Sequence, residues 1–434
     1  MRIERIELKN FRSFASRTFE FAPSFNILIG DNGAGKTAIL DALAIGAGAI
    51  FLGLDGASPP GIHGDDVRRV THGLGEVPTL EASYPVAVTC VGTVGDRRVE
   101  WTRTLEGPKK HTTHGGASEL SRLAEAWSEQ VRAGVESTLP LVSYYGTGRL
   151  WLQRRSRRST ASDGARVLRP GSRLRGYQGC LDPASDHKGF VSWFKTMELI
   201  QLQKGQKLGT LEAVKHSIRK CLRGWDEVLY DFRLGSLVAR NQDAQLPFDM
   251  LSDGVRNVLA MVGDIAYRAA TLNPHLREEA AAKTPGIVLI DEIDLHLHPL
   301  WQREVVDDLR DVFPALQFVA TTHSPFIIQS LREKELINLD DRARESLPSR
   351  SIEDIAEAVM GVAVPQRSHR HQDMMAAARA YYAALEEAKG AGGERLEALK
   401  RKLEELSAPF SDDVAYHAFL EMQRRAANLP GDDE

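Results

Sequence analysis

The sequence predicts an α/β fold built around a phosphate-binding loop, and three features support this prediction. Residues 30–37 form a Gly-rich loop between an apolar run and a helical pattern, which is the order strand, loop, helix. Two later apolar runs, 287–290 and 317–320, have the uninterrupted character of parallel strands covered on both faces. Residues 84–105 carry the alternation and the Gly-Asp turn of a β-hairpin. The chain is therefore expected to combine a mixed sheet with a parallel interior, a β-hairpin subdomain and helices.

The composition is that of an ordinary globular protein. The chain has 434 residues, of which 42% are hydrophobic and 26% charged, with a formal net charge of −4. This length suits one large α/β domain with insertions, or two to three domains, and the average charge indicates no particular partner. Cys90, Cys180 and Cys221 lie far apart, which argues against a zinc module or a disulfide scaffold and predicts core positions.

The beginning of the chain predicts a strand rather than a targeting segment. Residues 1–6 alternate polar and apolar side chains, unlike the basic and then apolar pattern of a signal peptide. No stretch approaches the ~20 continuous apolar residues that a bilayer-spanning helix needs. A cytoplasmic protein without a membrane partner is expected.

The loop at residues 30–37 matches the phosphate-loop pattern GxxxxGK[ST]. Its glycines let backbone N–H groups turn toward phosphates, and the following helix N-terminus adds positive potential. Lys36 is expected to reach the β- and γ-phosphates of ATP, and Thr37 to ligate Mg²⁺. A plain Gly-rich turn is the weaker alternative, because the strand and the helix stand where the mechanism needs them. The predicted cofactor-binding residues are Gly30, Asp31, Asn32, Gly33, Ala34, Gly35, Lys36 and Thr37.

Two carboxylates follow the apolar run at 287–290. Asp291 suits an outer-shell contact to Mg²⁺, and Glu292 suits a general base or water-positioning residue near the γ-phosphate. Alone, such a pair would usually mark a strand end. Together with the phosphate loop the catalytic interpretation is favoured, since α/β sheets place ligands at the carboxyl ends of their strands.

The tetrapeptide Leu251-Ser252-Asp253-Gly254 precedes another helical pattern. A Ser helix N-cap is the simple interpretation. Because it stands between the two preceding motifs, the segment also resembles the LSxG signature of ABC ATPases. The resemblance implies that Ser252 and Gly254 contact the γ-phosphate of ATP bound by a second subunit.

Two further stretches resemble the RecF, SMC and OLD branch of ABC ATPases. They are 291–299, of pattern DExxLHLHP, and 320–325, which contains THSP. The resemblance implies that His323 is the switch histidine near the γ-phosphate and that 293–298 lies at a dimer interface. Without the neighbouring motifs, His323 would be interpreted as a core or strand-end histidine. His296 and His298 could form a metal pair, but the resemblance favours packing at this loop.

Pieces after residue 363, including Val364 to Ser368 and Phe410 to Asp413, resemble the ATPase subunit of Septu and retron anti-phage systems. That family implies ATP and Mg²⁺ as cofactors, a homodimer or higher homo-oligomer, and a separate HNH nuclease partner. A RecF-like DNA-repair ATPase without a nuclease is the alternative. A transporter subunit is disfavoured because Val255-Arg256 replaces the end of an LSGGQ motif.

These observations predict four segments. Residues 1–150 would form the first half of the ABC ATPase head, 151–230 an inserted helical lobe, 231–345 the second half of the head, and 346–434 a helical partner-docking segment. The apolar faces of the last segment predict that it packs on the head or on a partner.

The inserted lobe contains eight arginines and one acidic residue between positions 154 and 175. Such a stretch could track a nucleic-acid backbone, but a solvated loop is an equal alternative. Trp193 and Phe194 are expected to be exposed and offer a second docking surface. Gln153 is one of several candidates for the Mg²⁺-binding glutamine of a Q-loop.

Overall fold

The computed structural model describes nine stretches of the chain, from Met1 to Ser407. They are residues 1–54, 58–73, 79–149, 172–183, 187–340, 350–358, 360–362, 368–387 and 394–407. The chain divides into two compact units, Met1–Met360, here called the head, and Gly361–Glu434, the C-terminal unit. All three cysteines are buried and unbridged, as predicted.

A five-stranded parallel sheet forms the centre of the head. The strand order is β14-β3-β13-β12-β8, and every neighbouring pair is parallel. All residues of β3, β8, β12 and β13 are buried, which explains their uninterrupted apolar runs. The five strands are β3 (Phe25–Ile29), β8 (Leu141–Tyr145), β12 (Gly286–Ile290), β13 (Leu316–Thr321) and β14 (Leu336–Asn338).

A second, antiparallel sheet has the order β2-β1-β6-β7. Its strands are β1 (Arg2–Phe11), β2 (Phe14–Glu20), β6 (Val86–Val94) and β7 (Arg97–Leu105). The predicted hairpin is confirmed, since Val94 pairs with Arg97. Trp101 is buried, and its indole N–H donates to the Gly46 carbonyl at 2.9 Å, which fixes this sheet on helix α1 (Lys36–Ala47).

Two more antiparallel sheets were not predicted. Strands β4 (Arg69–His72) and β5 (Thr79–Ala82) form a pair. Strands β9 (Glu227–Asp231), β10 (Ser236–Arg240) and β11 (Gln245–Pro247) form a three-stranded sheet. The latter begins inside the last residues of the predicted helical lobe.

The described part of that lobe contains helices α3 (His187–Lys204) and α4 (Gly209–Cys221). The prediction that Phe194 is exposed is wrong: its relative exposure is 0%, and its ring lies edge-on to Phe190 with centroids 5.9 Å apart. Trp193 is half-buried against Tyr267. Phe194 therefore belongs to the core, and Trp193 packs against it.

The remaining helices of the head surround the sheets. They are α2 (Ser118–Arg132), α5 (Asp253–Leu272), α6 (Ala280–Lys283), α7 (Pro299–Gln302), α8 (Val305–Val312), α9 (Pro325–Gln329) and α10 (Ile352–Ala358). None of the helices in the nine described stretches is both long enough and apolar enough to cross a bilayer.

The C-terminal unit contains a pair of helices, α11 (His369–Glu387) and α12 (Glu394–Ser407), that pack on each other. Their apolar residues form a separate small core of Met374, Ala377, Ala378, Tyr382 and Leu403. Each helix therefore covers part of the apolar face of the other, and packing of this segment on the head or on a partner stays a prediction.

Candidate functional site

The phosphate loop joins β3 to α1. Gly35 has φ +101, and a Cβ atom there would lie 2.5 Å from the ring of Phe14, so only glycine fits. The Lys36 ammonium donates to the carbonyls of Gly30 and Asp31 at 2.7 and 3.1 Å, across the loop. Burial lowers the pKa of Lys36, and the nearby carboxylates of Asp340 and Asp291 oppose that shift. The loop thus holds a cation where phosphates would enter.

The two predicted metal residues meet at the carboxyl end of the parallel sheet. The Thr37 hydroxyl donates to Asp291 Oδ2 at 3.1 Å, although the residues are 254 positions apart in the sequence. β12 and β3 both border β13, so Asp291 is carried to the start of α1. Mg²⁺ prefers hydroxyl, carboxylate and phosphate oxygens, and this pair fits that preference.

Thr321, at the end of β13, contacts both candidate carboxylate residues. Its hydroxyl donates to Asp291 Oδ1 at 2.7 Å and accepts the Glu292 backbone N–H at 2.7 Å. Thr321 is fully buried, while Glu292 is half-buried and has a left-handed φ of 50°. Sequence reasoning missed Thr321, although it directly precedes the THSP residues, 322–325, that were singled out for His323.

Ser252 occupies the N-cap position of α5, but its side chain makes no capping hydrogen bond and is exposed. The simple N-cap interpretation therefore accounts for its position and not for its hydroxyl. A Cβ atom at Gly254 would lie 2.6 Å from the His296 carbonyl oxygen, so the first turn of α5 packs directly on the loop after Glu292.

His323 follows β13 and is exposed, while the residues on either side of it are fixed. The Thr322 hydroxyl donates to the carboxylate of Asp294, and the Ser324 hydroxyl donates to Gln302 at 2.7 Å. His298 Nδ1 accepts the Leu300 backbone N–H at 3.3 Å at the start of α7. His298 therefore serves as a helix cap here, and the backbone holds the His323 ring toward solvent.

Two residues near the loop were not given these roles from the sequence. Asp340, two residues after β14, accepts the Asp31 backbone N–H of the phosphate loop with its carboxylate at 2.6 Å. Arg12 forms ion pairs with Asp41 on α1 at 2.6 Å and with Asp66 at 2.8 Å, which fixes the β1–β2 turn beside the phosphate loop. The spacing of residues in the sequence does not predict these contacts, because each of them joins different elements of the chain.

Most of the Arg-rich stretch 154–175 lies outside the described residues, as does Gln153. Arg173 is described, and it donates to the carbonyls of Ser137 at 2.6 Å and Val135 at 3.1 Å. This arginine holds a neighbouring loop in place.

Comparisons with known proteins identify ATPase families and relatives. A family described as "AAA domain" matches residues 5–223, which are 219 of the 434 residues, and one described as "AAA ATPase domain" matches 181–328. The chain is 25% identical over 398 residues to "Retron Ec83 probable ATPase" of Escherichia coli, covering 77% of this chain and 71% of the relative.

Shorter matches extend the comparison. The chain is 41% identical over 97 residues to "Septu protein PtuA" of Bacillus mycoides, covering 22% of this chain and 13% of the relative. It is 34% identical over 100 residues to "DNA replication and repair protein RecF" of Erwinia tasmaniensis, covering 23% of this chain and 26% of the relative.

Among solved structures, "SMC head domain from Thermotoga maritima" matches with a TM-score of 0.43 and 14% identity, covering 78% of this chain and 94% of that one. The strand order, the phosphate loop and the Thr37–Asp291 contact are those of a P-loop ATPase head. The chain belongs to the AAA domain family, and it is a RecF/SMC-like ABC ATPase related to the retron and Septu ATPases.

Proposed function

We propose that two copies of this ATPase assemble around ATP, so that each site combines the phosphate loop of one copy with Ser252 of the other. The Ser252 hydroxyl is exposed and makes no capping hydrogen bond to α5, which supports this arrangement. The first N–H groups of α5 form a helix N-terminus suited to an anion, which a γ-phosphate would satisfy. A homodimer is the smallest assembly that completes both sites, and a higher homo-oligomer would contain the same unit.

Within one site, Lys36 would contact the β- and γ-phosphates, and Thr37 and Asp291 would hold Mg²⁺. Bound Mg²⁺ would offset the negative charge of the phosphates. Glu292 would orient or deprotonate the attacking water, and His323 would contact the γ-phosphate. The observation that carries this assignment is the Thr37–Asp291 hydrogen bond, which joins the two predicted metal residues.

The assembly would regulate an associated HNH nuclease in anti-phage defence, in the cytoplasm. The relatedness to the retron and Septu ATPases supports this function. Contact with nucleic acid through residues 154–175 stays a prediction. The RecF relative makes a DNA-repair ATPase without a nuclease the second candidate.

Co-expression with an HNH nuclease encoded beside the gene tests the proposal. We expect the two proteins to purify together in a fixed ratio, and we expect the Glu292→Gln variant to change nuclease activity when ATP is added. An ATPase that purifies alone, and binds DNA in an ATP-dependent way, would favour the repair function instead.

A further inference from the structure

Arg149 is a buried arginine that contacts the turn carrying both candidate carboxylates. It is 4% exposed and follows β8 by four residues. One terminal nitrogen donates to the Asp291 carbonyl at 2.7 Å, and the other donates to the Glu292 carbonyl at 2.8 Å. Because both hydrogen bonds go to backbone carbonyls, the guanidinium fixes the backbone of the turn. The Asp291 and Glu292 carboxylates are not used in these bonds and can face a ligand.

This contact matters because the Glu292 backbone is held from both sides. Its N–H donates to Thr321, its carbonyl accepts from Arg149, and its φ of 50° is one that residues other than glycine rarely adopt. Burial lowers the pKa of Arg149 to about 10, and the carboxylates of Asp291, Glu292 and Asp294 oppose the shift. Arg149 is therefore a cation under the turn at neutral pH.

Asn257 connects this arginine to helix α5. It is 1% exposed and lies on the first turn of that helix after Gly254. Its Oδ1 accepts from Arg149 Nε at 2.7 Å, and its Nδ2 donates to the Leu295 carbonyl at 2.8 Å, in the loop after Glu292. Both ends of the Asn257 amide are thus hydrogen-bonded. Helix α5 is connected through Arg149 to the turn that carries Glu292, and directly to the loop that follows this turn.

We propose that Arg149 and Asn257 are positioning residues that couple the start of α5 to the backbone of Glu292. This inference rests on the proposed function, in which Ser252 at the start of α5 contacts nucleotide held by a second copy. When Ser252 engages that nucleotide, α5 and Asn257 shift, and Arg149 transmits the shift to Glu292 in its own site. Hydrolysis at one site then depends on occupancy of the other.

Asn257→Ala tests the connection, with Asn273→Ala as the matched control. Asn273 is equally buried and also bonded on both sides of its amide, to the Leu139 backbone, but it does not contact the turn. We expect Asn257→Ala to keep its ATP affinity and its ATP-dependent dimerisation, while kcat falls by at least about tenfold. The wild type should show a Hill coefficient above unity for ATP hydrolysis, and in Asn257→Ala this coefficient should fall to unity. Asn273→Ala should lower Tm and leave kcat and the Hill coefficient unchanged.

Arg149→Lys is the second variant, because lysine keeps the charge but lacks the fork that reaches two carbonyls and Asn257 at once. Arg149→Lys should show the same loss of kcat with little change in KM. It therefore tests the inference even where Asn257→Ala fails to fold. Wild-type kcat and Hill coefficient in either folded variant would overturn the inference. Sedimentation of the wild-type protein with ATP tests the dimer separately, so failure of the dimer is distinguishable from failure of the positioning pair.

Discussion

At the scale of single residues, one hydroxyl group sets the geometry of the candidate catalytic turn. Thr321 fixes the Asp291 carboxylate through one hydrogen bond and the Glu292 backbone through another. Asp291, which follows β12, also accepts a hydrogen bond from the Thr37 hydroxyl. Its carboxylate is therefore oriented by hydroxyl groups from β13 and from helix α1. The site therefore depends on a fixed arrangement of neutral hydroxyls around two acids.

Thr321→Val removes that hydroxyl while keeping the side-chain shape. The partly buried Glu292 N–H would lose its partner, which costs up to about 1–3 kcal/mol of unfolding free energy. We expect a lower Tm and at least a ~10-fold loss of kcat, because Glu292 and Asp291 both lose their alignment. Thr196→Val, which removes a hydroxyl bonded within α3, is the control and should keep wild-type turnover. Normal turnover in Thr321→Val would contradict the role assigned to Thr321.

Glu292→Gln should bind ATP and Mg²⁺ normally and lose turnover by ~100-fold or more, since the phosphate loop stays intact while the base is removed. Nucleotide binding by calorimetry and phosphate release check the two halves of this prediction. Glu304→Gln, at a surface ion pair with Arg223, is the control. Comparable turnover in Glu292→Gln and the wild type would remove Glu292 from the chemistry.

The phosphate loop, Asp291 and Glu292 could be predicted because each is adjacent in sequence to the strand that places it. Thr321, Arg149 and Asp340 could not be predicted in the same way. Their roles arise from the order of β3, β13 and β12 in the sheet and from the position of β14 beside β3. The sequence carries no local signal for which strands become neighbours.

At the scale of elements, the start of α5 and the loop after Glu292 form one structural piece. Gly254 allows their close approach, and Asn257 bonds the helix to that loop. Ser252 therefore lies at a helix end that is joined to this loop, so a contact between Ser252 and a ligand of a second molecule would act on both elements.

Gly254→Ala should separate these elements. The added methyl group would meet the His296 carbonyl at 2.6 Å, so the backbone must shift, at a cost of about 1–3 kcal/mol. We expect a lower Tm and reduced kcat with ATP affinity retained, because the phosphate loop is not touched. Gly107→Ala, where a Cβ atom meets nothing within 4 Å, serves as the control for denaturation and kinetics. Unchanged kcat in Gly254→Ala would show that the approach is not required.

Element prediction was successful where an uninterrupted apolar run or a clear turn marked a strand. The parallel strands β3, β12 and β13 and the β6–β7 hairpin agree with the prediction, whereas the parallel strand β14 was not predicted. The three-residue strand β11 and the five-residue strands β9 and β10 lie beside a helical pattern and gave no separate signal. Phe194 was assigned to the surface because a helical period does not say which side a neighbouring helix will cover.

At the scale of the whole molecule, the boundary between the two units affects how the chain should be cut. Helix α10 lies in the head, and its Ile355 is fully buried in the head core. A cut at residue 352 would remove that side chain, whereas a cut after Met360 follows the boundary between the units.

Deleting 361–434 should leave a folded head that binds ATP and should abolish co-purification of the nuclease, if the C-terminal unit is the docking segment. Deleting 352–434 should also lower Tm, because burial of an isoleucine contributes about 1.5–3 kcal/mol. Thermal unfolding, ATP binding and co-purification distinguish the two truncations. A head cut after Met360 that still captures the nuclease would place the docking surface in the head.

The most direct test of the central claim, that each ATP site is built from two copies, is complementation between inactive variants. Lys36→Ala disables the phosphate loop and Ser252→Arg disables the signature, so each alone should be inactive. Mixed in equal amounts, half of the dimers would be mixed and would carry one intact site, so turnover should reappear at no more than about a quarter of the wild-type rate. It should fall below that ceiling because the second site of a mixed dimer holds no ATP, and hydrolysis depends on occupancy of that site. Lys36→Ala mixed with Glu292→Gln should not recover, because both changes lie on the phosphate-loop side of the site. Recovery in the first mixture and not in the second is the predicted result. The absence of both an ATP-dependent mixed dimer by sedimentation and any turnover in the first mixture would contradict a site shared between two copies, as would full activity of Ser252→Arg alone.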